Sequence, residues 1–340
     1  MTNTAEMMGG HPAQPYGRGG TDPAEESARA ALGRLRAEIA KVIVGQDATV
    51  TGLVLALLCR GHVLLEGVPG VAKTLLIRTM AASLALDAKR TQFTPDLMPS
   101  DVTGSLVFDS RTAAFEFRPG PVFTNLYLAD EINRTPPKTQ ASLLEVMEER
   151  QVSVDGRPRP LPEPFLVAAT MNPIEYEGTY PLPEAQLDRF LFKLTVPLPT
   201  RDEELGVLRA HHHGFDPRDL TTAGDRGHAG AADLAAARLA AQRVQVADVV
   251  LAYVVDLCRA TRNAPSLELG ASPRGATGLL NAAKAFAWLT GRGYVTPDDV
   301  KAVARPVLRH RIRLRHEAEL EGVTADAVLD SLLATVPTPR

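Results

Sequence analysis

The stretch Gly67-Val68-Pro69-Gly70-Val71-Ala72-Lys73-Thr74 constrains this chain more than any other, because it stands between a short apolar run, HVLLE, and a helical pattern, KTLLIRTMAASLA. A glycine-rich turn leading from a strand into a helix N-terminus aims backbone N–H groups and the positive end of the helix dipole at one point. That arrangement cradles phosphate. Lys73 is placed to reach β- and γ-phosphates, and the Thr74 hydroxyl to bind Mg²⁺. The general pattern G-x-x-x-x-G-K-[ST] has glycine before the lysine, whereas this chain has Ala72. Alanine is the smallest substitute, and with Gly67 and Gly70 still supplying the turn, close approach to phosphate holds provided Ala72 keeps an ordinary backbone conformation.

A second run, Leu126-Tyr127-Leu128-Ala129, ends in Asp130 and Glu131. Neighbouring side chains on a strand face opposite ways, so the two acids divide the work. Asp130 is expected to hold Mg²⁺ through water, and Glu131 to orient and deprotonate an attacking water. The run PFLVAATMN ends in Asn172. On a parallel strand beside the phosphate loop its amide would touch both γ-phosphate and water; taken alone, it reads better as a turn residue before Pro173.

The apolar runs HVLLEG, KRTQFT, NLYLADE, PFLVAATMN and RFLFKLTV alternate with helical patterns, which implies an α/β fold with a parallel sheet and helices on both faces. Two hairpins are grafted in, SLVFDSRTAAFEFR and QVSVDGRPRPLPEP, the second marked by the turn pair Asp155-Gly156. Residues 1–24 are rich in Gly, Pro and polar groups without a hydrophobic period, and are expected to form a disordered tail. Residues 25–199 would hold a linker helix, with Leu32, Leu35, Ile39 and Val42 at helical spacing and a stop at Gly45, followed by the phosphate-binding core. A polar connection is expected over 200–240, where HHHGFDPRDLTTAGDRGHAG reads as a connection or a ragged surface helix, and an all-helical second domain over 241–338, where Thr296-Pro297-Asp298-Asp299 offers a helix start with acids near its positive end.

The net charge of −3 argues against a general nucleic-acid coat, which needs excess Lys and Arg to displace counterions from phosphates. Cys59 and Cys258 are distant and lie in apolar helical patterns, so neither a disulfide framework nor a Cys-ligated zinc site is expected. The N-terminal stretch lacks the basic segment and apolar run of a secretory signal, and no later run approaches the length of a bilayer span. The expected location is the cytoplasm, without membrane insertion.

In this order, GVPGVAKT, LYLADEINR, ATMNP and LPEAQLDRF resemble the Walker A, Walker B, sensor 1 and arginine-finger segments of the MoxR family of AAA+ ATPases. TPDLMPSDVTGS, FRPGPVF, KTQASLLEVMEERQVSVDG and GASPRGATGLL also resemble that family, so the likeness spans about Ile43 to Ile312. The resemblance implies a P-loop AAA+ core whose five-stranded sheet sets the sensor strand between the Walker A and Walker B strands, followed by a helical lid. It implies Mg-dependent ATP hydrolysis, homo-oligomeric rings that are hexamers, and chaperone-like remodelling or maturation of a client protein, often beside a partner with a von Willebrand factor A domain. It makes Arg189 the candidate finger acting on a neighbour's γ-phosphate and Arg274, in SPRG, the sensor 2 arginine, in cis or in trans. It also places Val44 and Gly45 at the adenine pocket.

Some features are set aside. His211, His212 and His213 are consecutive and cannot all aim at one metal ion, so they read as a solvated run. Arg305, Arg309, Arg311, Arg313 and Arg315 lack the interleaved aromatics of a nucleic-acid surface and read as the polar side of a lid helix or a ring contact. Phe286 and Trp288 fit a helical core. The competing functions are a chelatase-type motor for metal insertion, a nucleic-acid motor, and a nucleotide-locked scaffold that does not hydrolyse. Intact Glu131 and Arg189 argue against the scaffold, and no NKxD-like motif supports GTP.

Overall fold

The computed structural model describes residues 22–172, 178–217 and 229–339. Helix α1 (Pro23–Val42) opens with Asp22 accepting from the Ala24 N–H and with proline in the first turn, both favourable helix starts. Residues 22–24 therefore belong to an ordered helix rather than to the tail that their composition predicted; residues 1–21 lie outside the described residues. Gly45, at φ 76°, turns the chain into α2 (Asp47–Leu58). This second helix is apolar nearly all round because it is covered on every side, by α1, the sheet and the C-terminal helices.

The central elements follow as β1 (Val63–Glu66), α3 (Lys73–Ser83), β2 (Ala88–Gln92), the short α4 (Pro99–Thr103), β3 (Gly104–Asp109), β4 (Ala114–Pro119), β5 (Leu126–Asp130), α5 (Pro137–Glu149), β6 (Gln151–Val154), β7 (Arg157–Pro160), β8 (Leu166–Met171), α6 (Glu184–Leu187) and β9 (Phe192–Thr195). Five strands form one parallel sheet in the order β2-β5-β8-β1-β9. The strand ending in Asp130 is thus separated from the strand entering the phosphate loop by the strand ending beside Asn172, as expected. Period-two alternation feeds two cores. Val63, Leu65, Leu128 and Ala168 face α1, α2 and α3, whereas Leu64, Tyr127, Ala129 and Val167 face Leu143, Leu144 and Met147 of α5.

The two grafted hairpins are β3–β4 and β6–β7, each antiparallel and separate from the main sheet. The Asp155-Gly156 turn has φ of 52° and 68°, the paired positive values of the turn that best matches strand twist.

After β9 the chain forms α7 (Arg201–His212), α8 (Ala231–Arg243), α9 (Asp248–Asn263), β10 (Leu267–Leu269), α10 (Pro273–Leu289), α11 (Pro297–Leu308), β11 (Arg313–Leu314), α12 (His316–Leu320) and α13 (Ala325–Thr335). The stretch 200–240, expected to be a connection, carries α7 and most of α8. Thr200 and Glu203 close a reciprocal capping box at the start of α7. Residues 218–228 of that stretch lie outside the described residues. α8 packs on α1, and α10 on α2, so one continuous apolar core runs from the sheet into the C-terminal helices. Trp288 lies inside it, 2% exposed, with the Arg29 guanidinium over its ring.

Two small strands, β10 and β11, pair within this otherwise helical region. Cys59 and Cys258 are free thiols, which burial pushes up to about 12 and about 11. Among the described residues, no helix is long and apolar enough to cross a membrane.

Candidate active site

The C-terminal ends of parallel strands open on one edge of the sheet, where ligands of α/β folds bind. There, a cavity of about 830 Å³ is lined by Pro69, Gly70, Val71, Ala72, Lys73 and Thr74 of the loop, by Asp130 and Glu131 after β5, and by Asn172 after β8. Val44 also lines it; Gly45, Gly67 and Val68 do not. Gly67 has its own reason for lacking a side chain, since a Cβ there would stand 2.6 Å from the Val196 carbonyl oxygen. The Lys73 ammonium donates to the Gly67 carbonyl at 2.6 Å, folded over the loop.

Ala72 does not keep an ordinary backbone conformation. Its φ of 60° and ψ of 21° are left-handed, a conformation costing a residue with a Cβ roughly 1–2 kcal/mol. Glycine at this place in the general motif would be unstrained. The two acids also diverge for a reason different from strand alternation. β5 ends at Asp130, and Glu131 is itself left-handed at φ 57°, capping a single 3₁₀ turn over Ile132–Arg134. Strained backbone at two residues lining one cavity is the pattern of functional sites.

Each acid is engaged by residues that the sequence reading did not single out. Asp130 Oδ2 accepts from Arg90 Nε at 3.0 Å and Nη2 at 2.7 Å, and its Oδ1 from the Thr170 hydroxyl at 2.6 Å. Thr170 in turn accepts the Glu131 N–H at 2.8 Å. Glu131 Oε2 accepts from Gln92 Nε2 at 2.7 Å and from Arg134 Nη1 at 3.0 Å. Arg90 and Gln92 reach the acids because β2 pairs with β5 in parallel, Gln92 opposite Asp130. No motif spacing reveals a partner set by strand pairing across 40 residues.

The other wall of the cavity is apolar. Val42, Ile43 and Val44 face Val207 and Leu208 of α7, with Phe215 and Pro217 beyond it. A slot of this composition suits a flat aromatic ring. His211, set aside as part of a solvated run, stands at the rim with its ring edge-on to Phe215 at 5.7 Å. A sequence signal for this wall existed in the capping-box residues Thr200 and Glu203.

Arg189 and Arg274 line no part of the cavity. They converge elsewhere, on Glu148 at the end of α5, with Arg189 Nη2 3.0 Å from Oε2 and Arg274 Nη2 2.9 Å from Oε1. Beside them, Asp188 accepts from Arg311 Nε at 2.6 Å and from the Ser272 hydroxyl at 3.2 Å. The other members of the Arg305–Arg315 cluster are also engaged: Arg305 with Asp330, Arg309 with Asp326, Arg313 with Glu184 and Glu268, and Arg315 with the Pro265 carbonyl.

Comparison with known proteins agrees with this architecture. Residues 62–192 match the model of the ATPase family associated with various cellular activities (AAA), and residues 259–332 match the AAA lid domain. The chain is 42% identical to chaperone MoxR1 of Mycobacterium tuberculosis, over 98% of this chain and 90% of that protein. The chain belongs to the MoxR family of AAA+ ATPases. Bacillus subtilis YeaC is 47% identical over 93% of this chain and 97% of its own length. The crystal structure of an inferred ATPase from Cytophaga hutchinsonii superposes with a TM-score of 0.85 at 39% identity, covering 93% of this chain and 97% of that one. As a MoxR-family member the protein is an ATPase with a P-loop α/β core and a helical lid.

Proposed function

We propose that this ATPase hydrolyses Mg·ATP at the boundaries of a homo-oligomeric ring, a hexamer, in the cytoplasm, and uses the cycle to remodel or mature a client protein, with a von Willebrand factor A domain protein as partner. The observation that carries the reading is a separation: Lys73, Thr74, Asp130, Glu131 and Asn172 share one cavity, while Arg189 and Arg274 sit together outside it. Among the described residues, the cations lining that cavity are Lys41, Lys73 and Arg90; Arg189 and Arg274 are not among them, which leaves this pair placed to serve a neighbouring subunit's site. The chaperone name of the Mycobacterium relative supports the remodelling role.

Within this reading, the backbone N–H groups of the loop and Lys73 hold the phosphates, and the slot between Val44 and Leu208 takes the adenine. Thr74 and Asp130 supply the hard oxygen donors that suit Mg²⁺, which would neutralise charge on the phosphate oxygens. Glu131 orients and deprotonates the attacking water, and Asn172 bridges water and γ-phosphate. Arg189 acts in trans. Arg274, sharing Glu148 with Arg189, acts on the same neighbouring nucleotide.

Two variants test the pocket. With Mg·ATP at ~100 times its dissociation constant, the native protein should gain about 2.7 kcal/mol of stability, and Lys73→Ala should lose that gain in a thermal-shift assay. Glu131→Gln should keep it while turning over ~10²–10⁴ times more slowly. Equal nucleotide shifts in wild type and Lys73→Ala, or full turnover in Glu131→Gln, would overturn the assignment.

A further inference from the structure

Glu148 receives both arginines at once, one on each carboxylate oxygen. The three side chains come from three separate elements: the end of α5, the segment after α6, and the first turn of the lid helix α10. None is deeply buried, with side-chain exposures of 39%, 30% and 49% for Glu148, Arg189 and Arg274, so a neighbouring molecule can reach the group. Its net charge is one positive unit.

The frame around this group is tied down on every side. The Met147 carbonyl is 3.0 Å from Nε2 of the buried His62, whose Nδ1 accepts the Val167 N–H at 3.0 Å. Arg150 Nη2 donates to the Arg60 carbonyl. The end of α5 is thereby pinned to the entry of β1 and to β8. On the other flank, buried Arg311 donates from Nη2 to the Asp188 and Phe190 carbonyls at 3.1 and 2.7 Å. Ser272 caps α10 through the Gly275 N–H at 3.3 Å while its hydroxyl donates to Asp188. Lid and core therefore meet through hydrogen bonds on both flanks of the point where the two guanidiniums are set.

Two guanidiniums this near one another repel, and two long arginine side chains have much rotamer freedom to lose. A single carboxylate between them offsets both costs. An ordinary exposed ion pair contributes only ~0–1 kcal/mol to folding, so the arrangement does little for stability. What it supplies is geometry: the two cations are held side by side before a nucleotide arrives.

We infer that Glu148 is a positioning residue that holds Arg189 and Arg274 as one two-pronged unit for the γ-phosphate bound by the neighbouring subunit. The inference rests on the trans reading of Arg189 proposed above. Misplacing a catalytic group by about 1 Å costs on the order of 10²-fold in rate. Glu148→Ala should therefore lower kcat roughly 10–100-fold, leave KM for ATP within about twofold because the cavity of the same chain is untouched, and leave the thermal midpoint nearly unchanged. Glu148→Gln keeps one neutral acceptor oxygen but places an NH₂ group against the other guanidinium, and should fall between the two.

The decisive measurement is complementation in trans. Glu148→Ala subunits keep a whole pocket, and Lys73→Ala subunits keep Glu148 and both arginines, so their mixture should regain turnover at the boundaries that combine them. A Glu148→Ala subunit damaged in its fold would bring no working pocket and would not be rescued. Arg189→Ala mixed with Lys73→Ala serves as the parallel arm. If that arm is rescued while unmixed Glu148→Ala hydrolyses at the wild-type rate, the positioning role alone is overturned. If unmixed Arg189→Ala hydrolyses normally, the trans reading fails and the positioning role falls with it. A fall in kcat for Glu148→Ala that no mixture restores, in rings shown to mix by exchange of labelled subunits, also overturns the inference.

Discussion

At the cavity on the edge of the sheet, two acids each accept from two side chains of the same chain: Arg90 and Thr170 on Asp130, Gln92 and Arg134 on Glu131. At the end of α5 the ratio is inverted, with two cations sharing one carboxylate. The first arrangement is inward, lined by strand ends and strained turns. The second is half exposed and made where lid meets core. The difference teaches where the proposed trans mechanism can be tested: one region orders its own acids, the other holds an arginine pair outside that cavity, and that mechanism requires the two to meet across a subunit boundary.

The largest effect that can break this comparison is loss of the finger. Arginine fingers contribute ~10³–10⁵ in rate, so Arg189→Ala should be nearly inactive alone yet regain turnover when mixed with Lys73→Ala. Normal hydrolysis by unmixed Arg189→Ala would mean that the cavity is self-sufficient and the contrast carries no functional weight.

A smaller effect tests the frame behind Glu148. Burial, together with the nearby Arg150 charge, pushes His62 down to about 4, against the opposing influence of its bond to the Met147 carbonyl. A histidine held neutral in the fold but protonated when unfolded contributes stability that is fully present above its ordinary value of 6.5 and lost as pH falls from there towards 4. The loss is on the order of 3 kcal/mol. Buried His310 is lowered for the same main reason and acts with the same sign. Denaturant midpoints measured between pH 4 and pH 7.5 should rise with pH, and His62→Asn should rise less steeply. An identical slope in the variant would remove His62 from the account.

The smallest effect belongs to the loop. Replacing left-handed Ala72 by glycine relieves its backbone strain but gives the unfolded chain more freedom, leaving a net gain of about 0.5–1 kcal/mol. Ala72→Gly should raise the denaturant midpoint without weakening nucleotide binding. A lower midpoint would show that the Ala72 methyl makes packing contributions greater than the strain it imposes.

The course of the main sheet was legible because three of its strands are short apolar runs with a candidate site residue or loop at one end. Asp130 follows LYLA, Asn172 follows LVAATM, and the phosphate loop follows VLLE. The paired hairpins were legible for a related reason, their alternation and the Asp155-Gly156 turn. Helix α7 was not, although Thr200 and Glu203 mark its start, because a mostly polar surface helix without buried residues hides in composition. The left-handed conformation of Ala72 is not legible in the sequence, because φ depends on how the loop must turn into α3, which residue type alone does not decide.

The amino-acid sequence by itself determined the chemistry available and the order in which it is delivered: a phosphate loop, two acids, an amide, and two arginines, each at the end of an element whose periodicity is local. Tertiary structure alone decided which groups meet. Arg90 is 40 residues from Asp130 and Arg274 is 126 from Glu148, yet strand pairing in one case and lid docking in the other bring them into contact. Local hydrophobic patterning acts over a few residues and records strands and helices. Hydrogen bonds and ion pairs form wherever the packed elements put their side chains, and that placement follows from burying the whole core at once.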